Sequence, residues 1–294
     1  MLRHTLPDVY FITITQFPSP GTARATYFRP MFNLTPTVRN LLIANVIFLI
    51  AQNSLLPLLT QVGSLYPIGS PYFFPWQFFT YMFLHAGWGH LISNMFGLIS
   101  FGPLLEQRWG ATRFLTFWMI CGVGAGLLYE GVRGYELHKM ELSRQEFHQA
   151  PTGGEFANFF QSYFPDATGY ETLASALERN PQNREYIDAA TQAVDGAVTG
   201  TINSRGGGML GASGALFGIL FAFAYLFPNT ELMLLFFPFP IKAKYFVFLY
   251  ALYELYAGVH RTPGDNVAHF AHLGGLVIGF FVVKYWEGHR ERFY

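Results

Sequence analysis

Residues 40–105 contain no Asp, Glu, Lys or Arg, and this uncharged stretch constrains the fold more than any other feature of the chain. Only 12% of all residues are charged, about half of what is usual in soluble globular proteins. Such a stretch predicts helices that are buried in a bilayer. Residues 131–207, by contrast, carry ten acids and six bases, which predicts a polar segment outside the membrane. The formal net charge is zero, so nothing indicates nucleic acid as a partner.

The apolar segments between these polar breaks predict six membrane-spanning helices. A spanning helix needs about 20 apolar residues, and shorter ones are possible where protein surrounds them. The expected fold class is an all-α polytopic membrane protein with a polar insertion, 131–207, between the third and fourth helices. The Pro- and aromatic-rich segment 60–88 predicts a partly immersed loop at the membrane interface. The predicted spans are 40–59, 88–105, 112–130, 208–227, 243–258 and 266–283.

Lys and Arg residues in short loops orient the chain, because cytoplasmic loops are enriched in them. They occur in the connections 106–113 and 242–244 and after the last span, which predicts that both termini are cytoplasmic. The N-terminal tail is then 1–35 and the C-terminal tail 286–294, with the insertion on the outer side. We expect a multi-pass protein of a bacterial inner membrane; Met1 and Met31 are both candidate starts.

Apolar spacing inside the insertion predicts two or three short amphipathic helices. Leu173 and Leu177 form one such pattern, and a second pattern spans residues 186–194. Breaks at 151–154 and 180–181 separate the helices, because Pro, Gly and Asn favour turns there.

Polar side chains inside the predicted spans are the candidates for function, because an unpaired polar group in lipid is costly. His90 and Asn94 lie four residues apart on one face of the second span. At about 1.5 Å per residue, Ser213, His272 and Asn94 lie roughly 16–21 Å from the cytoplasmic ends of their spans. A serine among small residues is usually a packing residue. Three polar groups at one depth favour a shared site instead.

These side chains fit nucleophilic catalysis, in which a serine needs a base and donors for the developing oxyanion. His272 can be the base. Donors are available from the Asn94 amide, the His90 ring and the free N–H groups at the start of the Ser213 helix. We expect Phe217, one turn after Ser213, to stack on the imidazole. No Asp or Glu occurs in these spans near His272, so we expect a Ser–His dyad rather than a triad.

Three motifs along the chain contain these residues, namely His85-Ala86-Gly87-Trp88-Gly89-His90-Leu91-Ile92-Ser93-Asn94, Gly211-Ala212-Ser213-Gly214 and Ala271-His272-Leu273-Gly274-Gly275-Leu276-Val277-Ile278-Gly279. In this order they resemble the motifs of the rhomboid family of intramembrane serine proteases. The resemblance covers most of residues 36–285 apart from the insertion, and the trio of motifs is specific to that family. The stretch Pro75-Trp76-Gln77 looks like the first-loop motif of the family, in which Arg often follows Trp, so Gln77 departs from the pattern. The insertion is a second departure.

The resemblance implies a six-helix serine endopeptidase that cleaves transmembrane protein substrates within the lipid bilayer, without a cofactor. It implies that Ser213 is the nucleophile, that His272 is the general base, and that His90 and Asn94 belong to the oxyanion hole. The fifth span, bordered by Pro240 and Gly258, is a candidate lateral gate. Supporting positions in and around the motifs are Gly211, Gly214, Phe217, His85 and His269.

Other residues in these segments have simpler structural interpretations. Glu106 and Arg108 are expected to form an interfacial pair, and Glu254 either lines a cavity or is exposed near the outer end of its span. Cys121 is expected to be an inert buried residue, and the lone cysteine permits no disulfide within the chain. Close helix packing explains the glycines Gly122, Gly126, Gly218, Gly275 and Gly279.

Three other functions are considered. A histidine metal site would use His85, His90, His269 and His272, but it leaves Ser213 unexplained. A catalytically inactive rhomboid-like protein that binds transmembrane helices would be expected to lack the serine or the base. A transporter would be expected to show an inverted repeat, and none is visible in the sequence.

Overall fold

The computed structural model describes residues 34–56, 58–204, 208–234, 237–260 and 267–288, and most of these residues are helical. The predicted tail 1–35 lies outside this part of the chain apart from its last two residues, and the predicted tail 286–294 is described only as far as residue 288. A π-helical turn, Ala51–Leu55, follows the first helix, and a 3₁₀ turn, Tyr81–Phe83, follows the third. The helices are α1 Pro36–Ile50, α2 Leu58–Gly63, α3 Gln77–Thr80, α4 Trp88–Trp109, α5 Ala111–Gln149, α6 Gly153–Tyr163, α7 Tyr170–Arg179, α8 Arg184–Ile202, α9 Ser213–Leu226, α10 Ala243–Val259 and α11 His269–Gly288.

Each of the six predicted spans overlaps a helix, namely α1, α4, α5, α9, α10 and α11. The first span, 40–59, is not one continuous α-helix, because α1 ends at Ile50 and the π-helical turn follows it. Among the described residues, α5 is the one helix whose length and apolar composition suffice to cross a membrane, and α9 is a shorter apolar helix. The number of six membrane crossings therefore stays a prediction.

Helix α5 and the segment 231–242 also differ from the sequence expectation. Helix α5 does not end near Glu130 but continues to Gln149, because the residues that follow are charged yet favour helix. The fold is also not purely helical, since β1 Glu231–Leu234 and β2 Phe237–Lys242 form an antiparallel hairpin. Proline cannot continue a helix but is tolerated in edge strands, and Pro238 and Pro240 lie in β2.

Helix α9 is the centre of the bundle and packs against α11, α5 and α4. Its contact with α11 is made by backbone, because glycines face each other. A Cβ atom on Gly275 would collide with the carbonyl oxygen of Gly214, and one on Gly279 would lie 3.0 Å from Gly218 Cα. The predicted close-packing role of these glycines is confirmed. On α5, Gly122 and Gly126 likewise face side chains of the segment 65–82.

Glu106 fastens α1 to α4. Its carboxylate accepts hydrogen bonds from Thr35 Oγ1 at 2.5 Å, Thr37 N at 2.9 Å and Val38 N at 3.0 Å. The first N–H groups of a helix lack partners within it. A carboxylate at this end accepts their hydrogen bonds and interacts favourably with the positive end of the helix dipole. The expected pairing of Glu106 with Arg108 is therefore wrong, and Arg108 pairs with Glu287 at 2.6 Å instead.

Gln77, the residue that departs from the family motif, is fully buried and organises the segment before α4. Its Oε1 accepts a hydrogen bond from Tyr66 N at 3.2 Å. Its Nε2 donates to the carbonyl oxygens of Val62 at 3.1 Å and Tyr72 at 2.8 Å. The side-chain amide thus accepts through its oxygen and donates through its nitrogen. Both functions are needed to hold the segment between α2 and α3 in place.

The helices α6, α7 and α8 pack with the distal half of α5 around a second hydrophobic core, separate from the first. The prediction of two or three helices in this segment is confirmed, since three are present, with breaks at Pro151 and Pro181. Thr152 and Asn183 cap α6 and α8 by accepting backbone N–H bonds at 3.1 and 2.9 Å. Buried members of this core are Met140, Phe147, Phe156, Phe159, Ala174, Leu177, Ala190, Val194 and Val198.

The glycine contact between α9 and α11 generates a first prediction. We expect Gly275→Ala to lower the stability of the detergent-purified protein by about 1–3 kcal/mol, because the new methyl group overpacks a backbone contact. Gly131→Ala is the control, since a Cβ there meets nothing within 4 Å. It should be neutral or stabilising by about 0.5–1 kcal/mol. Thermal unfolding measures both, and equal melting temperatures for the two variants would contradict the packing argument.

Candidate active site

Ser213 is the first residue of α9, and the segment before it is shaped by a glycine. Gly211 has a φ of +133°, which L side chains rarely adopt, and a Cβ there would lie 2.7 Å from His90 Cε1. Its N–H donates to the Tyr81 carbonyl oxygen at 2.9 Å, and Leu65 pairs with Met209 just before it. Residues 208–212 therefore hold Ser213 at the N-terminal end of α9, close to His90.

The structure brings Ser213 and His272 together. Ser213 Oγ lies 2.8 Å from His272 Nε2, although 59 residues separate them in the chain. Ser213 is partly accessible, whereas His272 is only 9% exposed. Phe217 stacks on the His272 ring, with centroids 4.2 Å apart and planes 7° apart, as the one-turn spacing predicts. The imidazole is thus held between a flat apolar partner and the serine hydroxyl.

A carboxylate from another predicted span also contacts His272, which the expectation of a dyad did not include. Glu254 of α10 is buried, with 2% of its surface exposed. Its Oε2 lies 2.9 Å from His272 Nδ1 and 2.6 Å from His269 Nδ1. Glu254 is the sole acid in the predicted span 243–258, and an acid in a span is itself a functional signal. What the sequence does not show is that the face of α10 that carries Glu254 packs against α11.

A cavity of about 920 Å³ surrounds the serine, and its walls include His90, Asn94, Ser213 and His272. Asn94 is 4% exposed, and within the described residues its Nδ2 has no hydrogen-bond partner. His90 is half-buried, its Nδ1 accepts from Ala86 N at 3.4 Å, and its ring lies edge-on to His85 at 5.1 Å. Two side chains with donor capacity therefore line the same space as the serine.

The start of α9 adds backbone donors. The first hydrogen bond of the helix runs from Leu216 N to the Ala212 carbonyl oxygen at 3.1 Å. The amides of residues 213–215 precede this first bond, and such N–H groups and the positive end of the helix dipole favour negative charge. The site therefore combines a serine hydroxyl within hydrogen-bond distance of a histidine base with a group of N–H donors beside which an oxyanion could form.

The histidines do not form the four-residue metal site considered above. His85 and His90 make one pair, and His269 and His272 make another around Glu254. Both Nδ1 atoms of the second pair lie within 2.9 Å of Glu254 Oε2, closer than the roughly 3.3 Å between two tetrahedral zinc ligands at about 2.0 Å. Hydrogen bonds account for this cluster.

Comparison with known proteins identifies the same segments. The family model of the Rhomboid domain matches residues 74–137 and 188–286, which are together more than half of the chain. An uncharacterized mitochondrial rhomboid protein of Schizosaccharomyces pombe is 28% identical over 208 residues, 69% of this chain and 48% of that protein. The mitochondrial Rhomboid protein 1 of Saccharomyces cerevisiae is 40% identical over 90 residues, 29% of this chain and 25% of that protein.

A third relative, the mitochondrial RHOMBOID-like protein 6 of Arabidopsis thaliana, is 45% identical over 53 residues, 18% of this chain and 17% of that protein. The chain thus spans about half or less of the length of these relatives. All three come from eukaryotes and carry mitochondrial names. The expectation of a bacterial inner membrane has no support from them.

The hydrogen bond between Ser213 and His272 generates a second prediction. A fluorophosphonate probe, which phosphonylates activated serines, should label the wild-type protein but not Ser213→Ala. Ser93 lies on the wall of the same cavity but donates to the His90 carbonyl oxygen, so Ser93→Ala should be labelled like the wild type. Labelling is followed by in-gel fluorescence, and the modified peptide is identified by mass spectrometry. Modification of Ser93 or of another serine instead of Ser213 would contradict the assignment.

Proposed function

The chain belongs to the rhomboid family of integral membrane proteins, and we propose that it is an active intramembrane serine endopeptidase. Family membership supports a protease-like function and substrates within the bilayer. The observation that carries the proposal of activity is the distance of 2.8 Å between Ser213 Oγ and His272 Nε2. A serine and a neutral imidazole at this distance can pass a proton directly, which is what activation of a weak nucleophile needs.

In this proposal, Ser213 Oγ attacks the scissile carbonyl carbon while His272 Nε2 takes the hydroxyl proton. The carbonyl carbon becomes tetrahedral and its oxygen an oxyanion. Collapse of this intermediate breaks the C–N bond and expels the amine, which receives the proton from His272. The acyl-enzyme on Ser213 is then hydrolysed by water activated by the same imidazole. The stack of Phe217 against His272 keeps the ring plane fixed through both steps.

The oxyanion is stabilised by donors that converge on the cavity. We assign Asn94 Nδ2, the His90 ring and the amides at the start of α9 to this role. The buried Nδ2 without a partner in the described residues supports the assignment. Leaving a buried donor unpaired costs about 1–3 kcal/mol, which a group that serves the transition state recovers when charge develops beside it. Gly211 permits the approach of His90, since any side chain there would meet its ring.

The membrane setting follows from the predicted topology. The proposed domain, 36–285, has six spans interrupted by the insertion 131–207, with both termini cytoplasmic. The family model also leaves residues 138–187 unmatched, which supports the view of an insertion. A substrate helix must unwind locally to expose its carbonyl, because a helical backbone is internally satisfied. It would enter beside α10, whose outward face carries exposed Tyr245, Phe248 and Leu252.

The proposed activity generates a third prediction. In proteoliposomes with a reporter transmembrane substrate, Ser213→Ala and His272→Ala should each lower the cleavage rate by about 10⁴-fold or more, because they remove the nucleophile and its base. Cleavage should persist in the presence of chelators. Unchanged cleavage by Ser213→Ala would contradict the proposed mechanism. Binding of the substrate without cleavage by the wild-type protein would favour the inactive, helix-binding alternative.

The oxyanion assignment generates a fourth prediction. Asn94→Ala should lower kcat by about 10²–10³-fold, the usual cost of removing one oxyanion donor, with little change in KM. Asn45→Ala deletes another buried amide, which donates to the Leu41 carbonyl oxygen in α1, and should leave kcat near the wild-type value. Steady-state kinetics separates the two constants. Equal loss of kcat in both variants would show that a buried amide matters here for folding rather than for the oxyanion.

A further inference from the structure

The carboxylate of Glu254 receives two imidazoles on one oxygen. Oε2 lies 2.6 Å from His269 Nδ1 and 2.9 Å from His272 Nδ1, and all three side chains are buried. An ionised carboxylate only accepts hydrogen bonds, so the ring nitrogens that face it carry the protons. Ser213, His272 and Glu254 thus form a continuous chain of hydrogen-bond contacts that runs from α9 through α11 to α10.

We propose that Glu254 is a positioning residue for His272, and that the site works as a Ser213–His272–Glu254 triad rather than as a dyad. The proposal rests on the proposed function and adds a role that the sequence motifs do not contain. Glu254 holds His272 with its proton on Nδ1, so that the lone pair on Nε2 faces Ser213 Oγ. Only this tautomer can accept the serine proton at the observed distance of 2.8 Å.

The same carboxylate stabilises the charge that forms during the reaction. When Nε2 takes the serine proton, the His272 ring becomes a cation, and Glu254 Oε2 lies 2.9 Å from its Nδ1. In a buried site this attraction is screened less than in water. Attack of Ser213 on the substrate carbonyl thus leaves the negative charge on the carbonyl oxygen and the positive charge on the His272 ring, and the Glu254 carboxylate is the partner of that ring.

His269 secures the carboxylate. A buried carboxylate is costly unless it is hydrogen-bonded, and the contact of 2.6 Å with His269 is the shorter of the two. His269 lies three residues before His272, so both rings project from the same face of α11. Glu254 is thus held by a second histidine, which leaves its geometry toward His272 well defined.

A purely structural role is the main alternative, because Glu254 also fastens α10 to α11. Another buried carboxylate allows the two roles to be separated. Glu130 of α5 is 5% exposed, and its Oε2 accepts a hydrogen bond from Ile68 N at 2.9 Å. It joins two segments of the chain as Glu254 does, but it has no catalytic partner in our assignment. Glu130→Gln is therefore the matched control for Glu254→Gln.

The first test compares kcat and KM of these variants in the proteoliposome assay. Glu254→Gln keeps the size of the side chain and should lower kcat by about 10²–10⁴-fold, as loss of an orienting carboxylate does in other serine protease triads. KM should change little, and Glu130→Gln should keep the wild-type kcat. Glu254→Asp retains the charge and should recover at least part of the loss. Wild-type kcat in Glu254→Gln, or no rescue by Glu254→Asp in a protein that melts normally, would overturn the proposal.

The second test reads the tautomer directly. In protein labelled with ¹⁵N-histidine, protonated and unprotonated ring nitrogens have distinct ¹⁵N resonances, and His272→Ala identifies the signals of that ring. We expect a proton on Nδ1 of His272 in the wild type and a mixture of tautomers in Glu254→Gln. An unchanged tautomer would overturn the positioning role. Because this signal needs no turnover, it also distinguishes failure of the triad from failure of the proposed protease activity, which would leave the wild type without cleavage or labelling.

Discussion

The close approach of α9 and α11 is the constraint on which the site depends. Gly214 and Gly275 put the two backbones in contact, and Gly218 and Gly279 repeat the arrangement one turn further on. Small residues permit this in lipid, where the hydrophobic effect between helices is weak and packing decides. Ser213 stands at the first turn of this contact, and the short separation of the helices lets its hydroxyl reach an imidazole of the neighbouring helix.

Buried carboxylates provide the second layer of organisation. Glu106 joins α4 to the start of α1, Glu130 joins α5 to the segment at Ile68, and Glu254 joins α10 to α11. Each accepts N–H groups from another part of the chain, so the cost of burying the charge is offset by directed hydrogen bonds. In Glu254 the acceptor faces the proposed catalytic base, so the docking of α10 and the orientation of His272 depend on the same atom.

Much of the site was predictable because it is encoded locally. The i,i+4 spacing puts His90 and Asn94 on one face, the spacing of Phe217 from Ser213 predicts the stack on His272, and glycines mark the close contacts. Errors arose where the partner lies on another element. The pairing of Glu106 and Arg108 looked natural from their proximity in sequence, but each side chain found a partner in a distant helix. The role of Gln77 likewise depended on backbone groups brought to it by the fold.

The sequence by itself determined the apolar helices, the small residues that let them approach, and the order of motifs that places the chain in the rhomboid family. These features follow from composition and from spacing within one element, which a linear pattern can carry. Only the tertiary structure decided that α5 extends into the second core, that residues 231–242 form a hairpin, and that Glu254 contacts His272. These outcomes depend on which faces of separate elements pack together, and that is set by the whole fold rather than by any single segment.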